Sequence, residues 1–226
     1  MLFAKKESYY VYLFRHGQTV YNEKGIFTGW HNPGLTKKGI EDAKKVAEKL
    51  KDKKFRVAFH TSLMRSEETL KEVLKFHPEC KILIEDDRMI ERRYGTLEGT
   101  SHDDFIKKIG RRLLRLDTEG DAYEDLSPAL RLKLEILLGK EEFDVIHRGW
   151  DIPPPGGESF AMVEKRVASF VDYLKEFMRK NKCNVAISAH GNSIRLFRKI
   201  MGKSSKEDTV KWFIPYDDFY EYEVKV

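Results

Sequence analysis

Cysteine is nearly absent: Cys80 and Cys183 are the only two in 226 residues. Two is too few for the disulfide framework of a small secreted fold, and the pair lacks the close spacing of a zinc site, so a reducing, cytoplasmic compartment is expected. No apolar run approaches the length of a membrane span. Lys5 and Lys6 precede the apolar run Tyr9 to Phe14, but that run is too short for a signal core and passes straight into polar Arg15-His16-Gly17. Charge of one sign is also missing. The 42 basic and 37 acidic residues leave a formal net charge of only +5, which predicts a surface of both signs and argues against a nucleic-acid partner. Lysine-rich stretches such as Lys49 to Lys54 read as solvated helix ends. No glycine-rich loop ending in Gly-Lys-Ser/Thr follows a strand, which sets nucleotide kinases aside; Gly202-Lys203-Ser204 lacks the earlier glycine and suits a helix end.

What is present is enough to bury a core. Apolar side chains make up 41% of the chain and aromatic ones 12%, and residues 1–226 are expected to form one domain. Tyr9 to Phe14 and Asn184 to Ser188 are short apolar runs, each followed by a histidine and a glycine, as a buried strand ending in a loop would be. Phe55 to His60 and Lys81 to Glu85 supply two more strands. Between them, Ala43, Val46, Ala47 and Leu50 share one helical face, and Leu63, Leu70, Val73 and Leu74 share another. Alternating strand and helix implies right-handed crossovers and an α/β fold, a mostly parallel central sheet flanked by helices. A long helix after Gly156-Gly157 carries a core stripe of Phe160, Val163, Val167, Phe170, Val171, Leu174 and Phe177. Phe219 to Val226 alternates like a last, half-exposed strand.

Residues 111–143 interrupt this rhythm. The acidic stretch Asp117 to Asp125 leads into a new helix in which Ser127 caps, Pro128 suits the first turn and Gly139 suits the stop. Leu130, Leu134, Leu137 and Leu138 form its apolar face. This helical insertion reads as packing or as a lid.

Two histidines stand where ligand chemistry is expected in an open parallel sheet, at the ends of strands. In Arg15-His16-Gly17, Gly17 permits an anion to approach main-chain N–H groups, while Arg15 can fork onto phosphate oxygens. Phosphoryl transfer to an imidazole needs such a cation nearby. His190-Gly191-Asn192-Ser193 repeats the arrangement at the start of a helix, whose N-terminus would add donors for phosphate. Metal binding is the rival reading for His16, His190 and Glu91, although no close histidine pair or aspartate cluster accompanies them. Arg65 and Glu91 follow the second and third strands and reach the same sheet edge; alone they would read as a surface ion pair.

Taken with Phe27-Thr28-Gly29-Trp30, Glu91-Arg92-Arg93-Tyr94-Gly95 and Trp150-Asp151-Ile152-Pro153-Pro154-Pro155, these motifs resemble the cofactor-dependent phosphoglycerate mutases of the histidine phosphatase superfamily over most of the chain. The resemblance implies a phosphohistidine on His16, with Arg15, Arg65 and His190 holding the transferring group and Glu91 as general acid and base. It implies substrate contacts at Asn22, Thr28, Gly29, Arg92, Arg93, Tyr94, Arg148, Gly191 and Asn192. It further implies 2,3-bisphosphoglycerate as primer, no metal, and a small phosphorylated metabolite as substrate, with neither nucleic acid nor membrane as partner; homo-oligomerisation is left open. The chain departs from the pattern where these mutases usually have a lysine (here His102) and two adjacent arginines (here His147-Arg148). The sequence also stops at Val226, where the mutases continue into a lysine-rich tail over the site. Water is then expected to compete for the phosphohistidine unless the insertion supplies cover, which makes a phosphomonoesterase the alternative to a mutase. A catalytically silent docking domain would be expected to have lost His16 or Glu91, and both are present.

Overall fold

The computed structural model describes residues 8–118 and 122–225. Lys5 and Lys6, the Glu119 to Asp121 part of the acidic stretch, and Val226 lie outside the described residues. A five-stranded sheet is built from β1 (Ser8–Arg15), β2 (Val57–His60), β3 (Ile82–Glu85), β4 (Val185–Ala189) and β5 (Phe219–Lys225), in the order β3-β2-β4-β1-β5. β1 to β4 run parallel and β5 lies antiparallel to β1. Each strand coincides with an expected run, and the fold is the expected α/β class.

The period of two along the strands decides which helix each side chain meets. Val11, Leu13, Val57, Phe59, Val185 and Ile187 face α7 (Phe160–Asn181) and α8 (Gly191–Gly202). Tyr12, Phe14, Ala58 and Ala186 face α2 (Lys37–Leu50) and α3 (Met64–Leu74). The stripe read for α7 is buried from Phe160 to Leu174, with Phe177 packed partly buried beside it. β3 is the exception among the parallel strands. As the edge strand it leaves Ile82 and Leu83 exposed, so its apolar residues reflect pairing rather than burial. α8 ends where Gly202-Lys203 suggested, with Lys203 in the left-handed region at φ 52°.

The insertion is a helical hairpin and is longer than its sequence signal. α4 (His102–Asp117) and α6 (Pro128–Arg148) pack against each other, with the short α5 (Ala122–Asp125) between them. Ser127 caps α6 through Leu130 N–H and Pro128 opens it, as expected. Gly139 does not stop the helix. It lies inside α6, buried opposite Gly110 of α4: a Cβ on Gly139 would stand 2.0 Å from the Ile106 carbonyl oxygen, and one on Gly110 would stand 1.7 Å from that of Glu135. The glycines exist for close helix approach, a use that a single sequence does not distinguish from a C-terminal stop. The leucine face is borne out only in part, for Leu134 and Leu138 are half-buried but Leu130 and Leu137 are exposed, and Glu135, Gly139 and Ile146 are the buried positions of α6. Glu135 is satisfied there by the Tyr123 hydroxyl at 2.6 Å and faces Arg111 Nε at 3.5 Å. Nearer the sheet, Phe27, Tyr94, Phe105 and Ile146 form a satellite core.

Because backbone meets backbone at the crossing, no rotamer change can relieve a side chain placed there. Gly139→Val should separate the helices and cost about 1–3 kcal/mol, the usual penalty of overpacking. Thermal denaturation measures it, and an unaltered melting temperature would contradict the close crossing.

Candidate active site

The sheet delivers the two histidines side by side. His16 N–H donates to the Ala189 carbonyl at 3.1 Å, extending the β1–β4 ladder by one residue beyond β1. The His16 and His190 rings consequently stand 5.0 Å apart between centroids. Thr61 follows β2, and its Oγ1 lies 2.8 Å from His190 Nε2. Arg65 enters from the first turn of α3, and Glu91 from the segment after the 3-10 turn Asp87–Met89.

His16, Arg65 and Glu91 border a cavity of about 250 Å³. Of the expected site residues, Arg15, His16, Asn22, Thr28, Gly29, Arg65, Glu91, Tyr94, Arg148, Gly191 and Asn192 line it. His190 lies fully buried behind His16. Arg92 and Arg93 are not among the lining residues. Arg92 is buried between the Tyr94 and Phe160 rings, donating to the carbonyls of Ile146 and His147, and so ties the hairpin to the core. Arg93 is exposed and lies over the Trp30 ring. The segment Ser127 to Leu138 contributes nothing to the lining; the hairpin reaches the cavity through its opposite end, at His102, His147 and Arg148.

His16 Nδ1 lies 2.8 Å from the Gly17 carbonyl oxygen. A carbonyl only accepts, so Nδ1 carries the proton and Nε2 keeps its lone pair. Burial, then the charges of Arg65 and Arg15, hold the His16 pKa well below the ordinary histidine value of 6.5. The imidazole is neutral at neutral pH and can act as a nucleophile. Gly17 has a different role from the one expected. Its N–H donates to Thr69 Oγ1 at 3.0 Å, and a Cβ on it would stand 2.0 Å from the Gly39 carbonyl oxygen. The missing side chain admits the start of α2 rather than an anion.

The cations are fixed by main-chain carbonyls, with no carboxylate ion pair among the described residues. Arg65 donates to His31 O and Gly29 O, each at 2.8 Å. Arg15 donates to Ile214 O at 3.0 Å and lies 4.0 Å from the centre of the Tyr216 ring. Burial lowers the Arg65 pKa to about 10, with Glu91 opposing and Arg15 adding to the shift. Arg15 Nε, Arg65 Nε and Arg148 Nη1 are buried N–H groups without a hydrogen-bond partner, an arrangement that suits an anion able to accept from several directions. Glu91 Oε1 accepts from Arg92 N at 2.7 Å and Asn192 N at 3.2 Å. The first turn of α8 thus spends one of its donors on a carboxylate of the site, a use the sequence did not reveal. Among the described residues, no three His, Cys, Asp or Glu side chains converge to hold a metal ion, and no helix is long and apolar enough to cross a membrane.

Sequence reasoning missed several lining residues: Tyr21, Arg195, Phe213 and Tyr216. Arg195 had a signal, since it follows Asn192 by three residues and shares its helix face; Phe213 and Tyr216 belong to an irregular segment and had none. His102 and His147, the departures from the family pattern, both line the cavity with rings 5.7 Å apart. Burial lowers the pKa of each, that of His147 to about 2 with Arg148 and Arg92 contributing. Both are uncharged at neutral pH.

His16, His102, His147 and His190 therefore fold neutral, mainly through burial. The unfolded chain protonates them near 6.5. Stability is fully present above that pH and is lost as pH falls through the window between 6.5 and the folded values, down to about 2 for His147. Melting temperature should decline from pH 7 to 5.5, and more shallowly in His147→Gln. An identical slope in the variant contradicts the assignment.

Residues 11–127 and 135–216 match the model of the histidine phosphatase superfamily, branch 1. A 2,3-bisphosphoglycerate-dependent phosphoglycerate mutase of Parvibaculum lavamentivorans is 34% identical over 203 residues, 88% of this chain and 82% of that protein. One from Chelativorans is 34% identical over 205 residues, covering 88% and 84%. Among solved structures, phosphoglycerate mutase from Bacillus anthracis superposes with a TM-score of 0.69 at 20% identity, over 97% of this chain and 89% of that one. The α-ribazole phosphatase of Shigella flexneri gives 0.68 at 19%, over 96% and 94%. At these identities the two structures speak for the fold alone. The family match and the sequence relatives go further: the chain is an enzyme and belongs to branch 1 of the histidine phosphatase superfamily.

Proposed function

We propose that this protein is a 2,3-bisphosphoglycerate-dependent phosphoglycerate mutase, interconverting 3-phosphoglycerate and 2-phosphoglycerate through a phosphohistidine on His16, in cytoplasmic glycolysis and gluconeogenesis. The observation that carries the reading is a neutral His16 whose proton is held on Nδ1 by Gly17, set in a small cavity among Arg15, Arg65 and Arg148. The names of the sequence relatives support the choice of substrate. On this reading residues 1–226 act as one domain into which the hairpin is inserted.

In the first half-reaction His16 Nε2 attacks phosphorus, the N–P bond forms and the P–O bond breaks. Glu91, as general acid, gives a proton to the departing oxygen. In the second half, the carboxylate of Glu91 takes the proton of the free hydroxyl of an incoming monophosphoglycerate, whose oxygen attacks phosphorus, forming the bisphosphate and releasing His16; transfer of its other phosphoryl group to His16 then leaves the isomer. Arg15 and Arg65 balance charge on the transferring group, and His190, held by Thr61, lies beside it. The three buried guanidinium N–H groups without partners fit a molecule with two phosphates. Arg15, Arg65 and Arg148 would hold 2,3-bisphosphoglycerate, which supplies the first phosphoryl group.

A phosphomonoesterase is the second reading. It uses the same residues with water as acceptor, and the uncharged His102 and His147 favour it, since they add no cation for a second anionic group.

A coupled assay with 3-phosphoglycerate, with and without 2,3-bisphosphoglycerate, run beside phosphate release, decides between the two. Mutase turnover should exceed hydrolysis and depend on the primer; dominant phosphate release would favour the second reading. Labelled bisphosphoglycerate should leave an acid-labile, base-stable adduct that His16→Ala lacks. Glu91→Gln should slow turnover by about a hundredfold or more, and an unchanged rate would assign proton transfer to another group.

A further inference from the structure

Arg195 is an arginine of α8 that is only 8% exposed yet lines the cavity. Its Nε donates to the Trp212 carbonyl at 2.9 Å and its Nη1 to Asn192 Oδ1 at 3.0 Å. These two bonds fix the plane of the guanidinium, one to the irregular segment after α9 (Lys206–Lys211) and one to the first turn of its own helix. Among the described residues no carboxylate forms an ion pair with it. A buried cation is ordinarily paired. Arg195 instead has Arg148 and Arg15 for neighbours, with Glu91 offsetting them only in part. A methyl group on Gly191 would stand 3.4 Å from both Arg195 Nη1 and Arg15 Cζ. Arg148, whose Nη1 is a buried donor without a partner, lies close enough to lower the Arg195 pKa, after burial, to about 10.

Four arginines around one small cavity exceed what a single phosphoryl group on His16 needs. Arg15 and Arg65 flank that position, with Arg148 and Arg195 left over. His147 and His102 are neutral and do not share the task.

We infer that Arg195, with Arg148, forms a second anion subsite that selects phosphomonoesters bearing another anionic group, the carboxylate of a phosphoglycerate, over phosphomonoesters without one. The inference rests on the proposed reading of the cavity as a phosphoglycerate site, and it adds the residue that distinguishes the two ends of the substrate. A planar, always-charged fork anchored on two sides suits a carboxylate, which accepts two parallel N–H donors.

The test is calorimetric binding of 3-phosphoglycerate and of glycerol 3-phosphate, the same skeleton without the carboxylate. The native protein should prefer 3-phosphoglycerate by about tenfold or more, the scale of one charge-assisted hydrogen-bonded contact. Arg195→Gln should erase that preference by weakening 3-phosphoglycerate alone, and Arg195→Lys, which keeps the charge but not the fork, should restore part of it. Equal weakening of both ligands in a folded variant makes Arg195 a purely structural clamp and overturns the assignment, as does an unchanged preference. If Arg195→Gln does not fold, a full native preference in Arg195→Lys overturns the bidentate role, and a reduced one supports it. Because binding is read without turnover, a protein that fails the mutase assay but shows this Arg195-dependent preference refutes the proposed reaction and leaves the subsite standing.

Discussion

Buried positive charge without matching carboxylates is the constraint around which the site is organised. Arg15, Arg65 and Arg195 are each tied to main-chain carbonyls, of Ile214, of Gly29 and His31, and of Trp212. Carbonyls orient a guanidinium without neutralising it, so the field in the cavity stays positive. The same field, added to burial, keeps His16 and His190 uncharged. A nucleophilic imidazole and a strong anion site are therefore two results of one arrangement, and weakening either would weaken the other. Glu91 stands apart, held by two backbone N–H groups rather than by an arginine, which leaves its carboxylate free of a competing ion pair.

The hairpin adds a wall to this site. His102 starts α4 and His147 nearly ends α6, so the two rings meet where the hairpin joins the body. Phe27 and Phe143 pack against both rings. The wall is aromatic and continuous with the satellite core, and among the described residues Arg148 at the end of α6 is the one cation the hairpin brings to the cavity.

The sheet was legible because burial writes directly into sequence. Tyr9 to Phe14 and Asn184 to Ser188 are apolar on both faces, and helices cover both. His16 and His190 were legible because a histidine and a glycine at the end of such a run are unusual together. The unread parts share a cause: they depend on what faces a residue across space. Gly17, Gly110 and Gly139 each make room for a backbone segment distant in sequence, and nothing local separates that use from a turn or a helix stop. Arg92 and Arg93 are neighbours in the chain, yet one is buried between rings and the other is at the surface. Leu130 and Leu137 keep helical spacing while facing solvent, because the crossing at Gly139 turns Glu135, Gly139 and Ile146 to the inner face of α6.

The partner that orients His16 is a peptide carbonyl. Where a carboxylate performs this task, the orienting group carries its own charge and titrates. The Gly17 carbonyl has no proton to gain or lose in any physiological range. The nucleophile's tautomer is thus written into main-chain geometry, out of reach of side-chain substitution and indifferent to acidity, and it fails only when the turn after β1 itself changes shape.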